Sequence, residues 1–190
     1  MREEFETRLK KNRNILKGIG ILEIVGGTTG LGLIIWLMLR GTETNTFVFL
    51  ILLVAIGFYV YSIYAGLRLF KKRENGILHS RILQYLQILA ISIGGFTYLM
   101  TSGGYFFLGY NLTSGSITFS FALISSKFQL NILSQGESQF ISINIMSIFI
   151  ILLLEKALKN INEQSTLKAN YERNMNEWLE SKPDLTENSK

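Results

Sequence analysis

Residues Gly18 to Leu39 read GIGILEIVGGTTGLGLIIWLML, and the rest of the chain is organised around them. The run is apolar for long enough to cross a bilayer, since about 20 helical residues span the hydrocarbon. It carries one acid, Glu23, and a cluster of small residues. On a helix Glu23, Gly26, Gly27 and Gly30 fall at i, i+3, i+4 and i+7 and share one face. A glycine face admits a neighbouring backbone, and Gly26-x-x-x-Gly30 is the small-xxx-small pattern of packed membrane helices. An acid on that face must look inward, away from lipid.

Composition agrees. The chain has 190 residues, 48% of them hydrophobic and 17% charged, with a mean hydropathy of +0.28, and the apolar residues come in blocks. The chain has no cysteine, which excludes a disulfide framework, a thiolate nucleophile and a cysteine-ligated metal. A single histidine, His79, leaves no histidine cluster for zinc or iron, and the only aspartate, Asp184, lies in the terminal tail. Few catalytic residue types remain. The net charge of +5 comes from basic residues beside apolar blocks, which the positive-inside rule accounts for, and no nucleic-acid-reading element accompanies them. No cleavable signal peptide is evident.

Outward from the first span, residues 1–17 form a charged, basic lead-in, read as a cytosolic helix at the membrane surface. After Arg40 a short polar turn, GTETNT, returns the chain into a second span, Phe47 to Leu69, antiparallel to the first. Tyr61 and Tyr64 lie on one face of that span. A basic connection, FKKRENGILHSR, follows with an expected turn at Asn75-Gly76. The third span is expected over residues 82–100, with Gln84, Gln87, Ile91, Gly94 and Tyr98 on its inward face. The fourth is expected over residues 140–158, with Glu155 near its cytosolic end. A helical cytosolic tail occupies 159–190 and frays near Lys182-Pro183.

The loop over residues 101–139 is different in kind. It is nearly uncharged, with Lys127 and Glu137 its only ionised side chains. In Ser116 to Leu123 and again in Lys127 to Leu133 apolar residues alternate with small or polar ones, the period of a strand. This predicts a β-hairpin broken at Ser125-Ser126, with a third strand at Tyr105 to Leu108 and a turn over Asn111 to Gly115. Its apolar side, including Ile117, Phe119, Phe121, Phe128, Leu130 and Ile132, is expected on the helix ends as an outer cap, or against a ligand or partner. Asn111-Leu112-Thr113 also fits a glycosylation sequon.

The expected fold is thus an all-α membrane protein: a four-transmembrane-helix bundle with a small β-hairpin or β-sheet cap between helices 3 and 4. The basic segments place both termini in the cytosol of a multi-pass cell-membrane protein. The cysteine-free, Ile/Asn/Lys-rich composition points to a bacterial cytoplasmic membrane. Glu23, Tyr61, Tyr64, Gln84, Gln87 and Glu155 are expected to form a polar layer in the inner half of the bundle, with Gly26, Gly27 and Gly30 as packing residues. Such a layer is either a hydrogen-bonded pin that fixes helix register or a proton- or cation-binding point on a transport path. No nucleophile–base pair, paired carboxylates, phosphate loop, cofactor fingerprint or metal set is visible. The expected protein is not an enzyme. It is a structural or accessory protein acting through protein contacts, or alternatively a small transporter. Its partners are the lipid bilayer and a membrane protein or a second copy, not nucleic acid.

Overall fold

A computed structural model describes residues 2–40, 46–71, 73–132 and 138–180. The elements run α1 (Arg2–Leu39), α2 (Thr46–Lys71), α3 (Arg73–Leu86), β1 (Leu89–Ile93), β2 (Phe96–Thr101), β3 (Gly104–Asn111), β4 (Ser116–Leu123), β5 (Lys127–Asn131), β6 (Phe140–Asn144) and α4 (Ile145–Glu180). The expected turn after Arg40 and the fraying near Lys182-Pro183 lie outside the described residues, apart from Thr46. Among the described residues two helical stretches, Lys10–Leu39 and Thr46–Lys71, are long and apolar enough to cross a membrane.

The four-helix all-α bundle is therefore corrected. The region expected as the third span is helical only to Leu86 and then becomes β1 and β2. The region expected as the fourth begins as β6, and α4 starts only at Ile145. The reason is local. LAISI and FTYLMT alternate with period two around Gly94-Gly95, whose φ values of 60° and 84° make a tight two-residue hairpin turn. Mean hydropathy registers such a hairpin as a span, although its period is a strand's. The expected turn at Asn75-Gly76 is also corrected: both residues lie inside α3. Gly76 is there for close approach, because a Cβ would come within 2.6 Å of the Arg68 backbone.

The six strands form one antiparallel sheet in the order β4-β3-β6-β1-β2-β5. The expected hairpin between β4 and β5 is not formed, since β4 pairs with β3 and β5 with β2. The Asn111 turn does join β3 to β4. Asn111 Oδ1 accepts from the backbone N–H groups of Thr113 and Ser114 at 2.9 and 3.0 Å, and Gly115 takes a φ of 66°.

β4 and β5 are consecutive in sequence yet occupy opposite edges. In a flat sheet five strand spacings would part them by about 24 Å. The link from Leu123 to Lys127 can reach only about 14 Å. The sheet therefore curls until its edges approach each other. Lys127 Nζ on β5 lies 4.6 Å from the centre of the Tyr105 ring on β3, across a ladder that puts three strands between them.

The curl separates two faces. The inner one carries a small core of Ala90, Tyr105 and Phe107, with Leu99, Ala122 and Phe140 packed against it. The rest of that face is hydroxyls, amides and Lys127. On the outer face the cross-strand partners are apolar or aromatic throughout: Phe106 opposite Phe121, Leu108 opposite Phe119, Tyr110 opposite Ile117, and Ile141 and Ile143 beside them. The β2–β5 part of that face packs on the helices, with Met100 and Phe128 against Ile34, Ala55 and Phe58. The β4 part is open, and Ile117, Phe119 and Phe121 are 66%, 70% and 61% exposed. The expectation that these three cover the helix ends is thus replaced by an uncovered ridge.

Below the sheet α3 and α4 lie beside the other half of the helical hairpin. There Leu16, Ile19, Leu69, Ile77, Ile150 and Leu154 form a second core.

Candidate functional site

α1 packs through one stripe. Its buried residues Leu16, Ile19, Gly20, Glu23, Gly26, Gly27, Gly30 and Ile34 recur at helical spacing. The glycines serve two different neighbours. Gly20 and Gly66 bring α1 and α2 together: a Cβ on Gly66 would stand 2.6 Å from the Gly20 carbonyl oxygen. A Cβ on Gly27 would stand 2.7 Å from the Tyr59 carbonyl oxygen, and Gly30 makes room for the Tyr59 ring. Gly26 turns to the sheet, where a Cβ would fall 1.9 Å from the backbone nitrogen of Gly103 in the β2–β3 turn. Gly103, with a φ of 94°, is also tight, since a Cβ there would stand 2.4 Å from the Leu22 carbonyl oxygen.

At this junction lies a buried polar layer. Glu23 is fully buried, and its Oε1 accepts from Ser80 Oγ and, at 3.1 Å, from Gln84 Nε2. Ser62 Oγ donates to the Glu23 carbonyl oxygen at 2.8 Å and lies 2.8 Å from Ser102 Oγ. The Ser102 N–H donates to Gln87 Oε1 at 2.7 Å, and Ser126 Oγ donates to the Gly26 carbonyl oxygen at 2.6 Å. On the other side Asn144 Oδ1 accepts from the Phe106 N–H at 3.0 Å. The two bonds to Glu23 Oε1 tie α3 to α1, and the others serve the lower end of the sheet or the crossing of α1 and α2. Buried backbone groups at strand ends need partners, and these side chains supply them. Among the described residues five buried side-chain atoms have no hydrogen-bond partner: Asn12 Nδ2, Glu23 Oε2, Arg81 Nε, Asn144 Nδ2 and Ser147 Oγ.

The residues expected in one cluster divide into three places. Glu23, Gln84 and Gln87 meet in the buried layer, together with Ser62, Ser80 and Ser102. Tyr61 and Tyr64 instead flank His79: Tyr61 Oη is 3.1 Å from His79 Nδ1, and the Tyr64 ring stands edge-on to the imidazole at 5.1 Å. Glu155 is exposed and pairs with Arg81 at 3.2 Å. The serines escaped sequence reading because a buried serine looks like any small residue until a partner is placed beside it.

A second polar place was also missed. Inside the curled sheet a cavity of about 190 Å³ is lined by Asn111, Thr118, Ser120, Lys127 and Ser142 beside Ala90, Leu99, Phe107 and Phe140. Lys127 is its one charged group. The available signal was a single cation in an otherwise uncharged alternating stretch. No group of histidine, cysteine or carboxylate residues suited to a metal occurs among the described residues. Compared with family models, curated proteins and solved structures, the chain matches none of them.

Proposed function

We propose that this chain is a small integral membrane protein held by the α1–α2 hairpin, with a structural or accessory role exercised through protein contacts. The observation that carries the reading is the placement of apolar surface. Only 28% and 22% of the most apolar windows of the two candidate spans are buried, whereas the core helix of a soluble protein would be mostly covered. Leu50, Leu53, Val54 and Trp36 are among the side chains left open. Meanwhile Glu23, Gln84, Gln87 and Asn144 are inside. Apolar outside and polar inside suits a hydrocarbon solvent.

Lys10, Lys11, Arg13 and Lys17 lie at the same end of the helical hairpin as Arg68 and Lys71, which supports a cytosolic placement of that end. α4 packs on this half and carries Lys156 and Lys159 away from the sheet, which supports a reading with both ends of the chain on the same side. A bacterial cytoplasmic membrane fits the composition. Alkaline carbonate extraction of membranes tests the anchoring: the protein stays with the pellet, and release into the supernatant would overturn the reading. Purification in mild detergent tests the role, through co-eluting membrane proteins or a second copy.

A second reading is favoured by Glu23 Oε2, a buried carboxylate oxygen without a hydrogen-bond partner. In it the polar layer binds a proton or small cation during transport. A proteoliposome flux abolished by Glu23→Gln would replace the first reading with this one.

A further inference from the structure

We infer that the sheet lies within the bilayer, in its outer half, and that lipid acyl chains cover the exposed part of its apolar face. This rests on the reading of α1 and α2 as membrane spans and extends it to a part of the chain that has no apolar helix.

The argument starts from depth. In α1, Glu23 and Gly26 stand near the middle of the Lys10–Leu39 stretch. The turns at the lower end of the sheet sit at that level, because Gly103 abuts Gly26 and Ser126 bonds to its carbonyl oxygen. From there β2 and β5 ascend beside the outer half of the helices, where Met100 and Phe128 pack on Ile34 and Ala55. From Gly26 to Leu37 the helix rises about 16 Å, roughly half of a hydrocarbon core of about 30 Å. A strand of five to eight residues covers a similar height, about 17–26 Å before tilt. If α1 crosses the membrane, the sheet has no other depth to occupy.

Its surface is made for that depth. The exposed ridge of Ile117, Phe119, Phe121 and Leu123 is continuous through Phe106 and Leu108 with the rest of the face, and no charged side chain interrupts it. In water such a ridge on an edge strand invites aggregation. In hydrocarbon it is the outside of a barrel wall, apolar outward and polar inward. An open sheet edge is not tolerated against lipid. Here the curl brings the edge strands β4 and β5 toward each other, and Thr118, Ser120 and Lys127 from the two edges line the same cavity. The buried polar layer then acquires a role: it satisfies strand ends that stop in the middle of the membrane, with α3 and α4 filling the inner half below them.

The chain contains no cysteine, so single-cysteine variants can be labelled at one place each. Phe119→Cys on the ridge, Ser120→Cys on the inner face and Leu53→Cys on the open face of α2 would each carry an environment-sensitive fluorophore. They are reconstituted in phosphatidylcholine vesicles with ordinary or brominated acyl chains. Labels at positions 53 and 119 are expected to lose most of their emission in brominated vesicles, and the label at 120 to keep it. Quenching at 53 without quenching at 119 places the sheet in water and overturns the inference while leaving the membrane reading intact. No quenching at 53 overturns the membrane reading itself. Equal quenching at 119 and 120 overturns the two-faced wall. Unmodified protein gives a check independent of substitution. A photoreactive group on a lipid acyl chain should add to residues 116–123 as well as to residues 47–54, and adducts on the helix alone would refute the inference.

Discussion

Gly26→Ala is the sharpest perturbation available. The added carbon would stand 1.9 Å from the Gly103 nitrogen, 2.4 Å from its Cα and 2.5 Å from the Ser102 carbonyl carbon. All three are backbone atoms, so no rotamer relieves the contact. To reach ordinary contact the turn must withdraw by about 1.5 Å, and overpacking of this kind costs roughly 1–3 kcal/mol. The same withdrawal strains three hydrogen bonds anchored at the turn or at Gly26: Ser126 to Gly26, Ser62 to Ser102, and Ser102 to Gln87. Each contributes on the order of 1 kcal/mol. Against this stands a gain of up to about 1 kcal/mol from alanine's helix preference. With all three bonds lost the net expectation is a loss of roughly 3–5 kcal/mol. Gly32→Ala is the matched control, because nothing lies within 4 Å of its added carbon and only the helix term remains. The assay is thermal loss of the monodisperse detergent-solubilised peak in size-exclusion chromatography. Gly26→Ala should melt clearly below the parent, and Gly32→Ala at or above it. Coincident melting of the two variants would refute the close approach of the turn to α1.

Three further outcomes follow from the same geometry. Glu23→Gln keeps an acceptor for Ser80 and Gln84 and should leave assembly within about 1 kcal/mol of the parent, whereas Glu23→Leu strands both donors and should cost about 1–3 kcal/mol, read by the same melting assay. Gly95→Val sets a β-branched residue at a φ of 84° in the β1–β2 turn and should destabilise by at least about 1–2 kcal/mol; an unchanged melting temperature would deny the hairpin that replaces the expected third span. Ile124, in the short link between β4 and β5, holds a φ of 54°, so Ile124→Gly should stabilise the fold by up to about 1 kcal/mol, and a lowered melting temperature would show that the side chain contributes more than its backbone strain costs.

The two long apolar helices, the inward stripe of Glu23 and the glycines, and the strands β3 to β5 were legible in the amino-acid order, because each is written in a local period of apolar residues. That order misled over residues 82–100 and 140–158. Hydropathy summed along a window does not distinguish a helix from two alternating strands joined at Gly94-Gly95, and the alternation of FISIN is too short to outweigh the apolar run behind it. That β4 and β5, neighbours in the chain, stand at opposite edges of a curled sheet follows only from long-range packing. The same packing sets which polar side chains meet Glu23 and which go to His79 or Arg81. Strand order and side-chain partnership are long-range choices. They are settled by which surfaces close over one another, and no short window of sequence contains both surfaces at once.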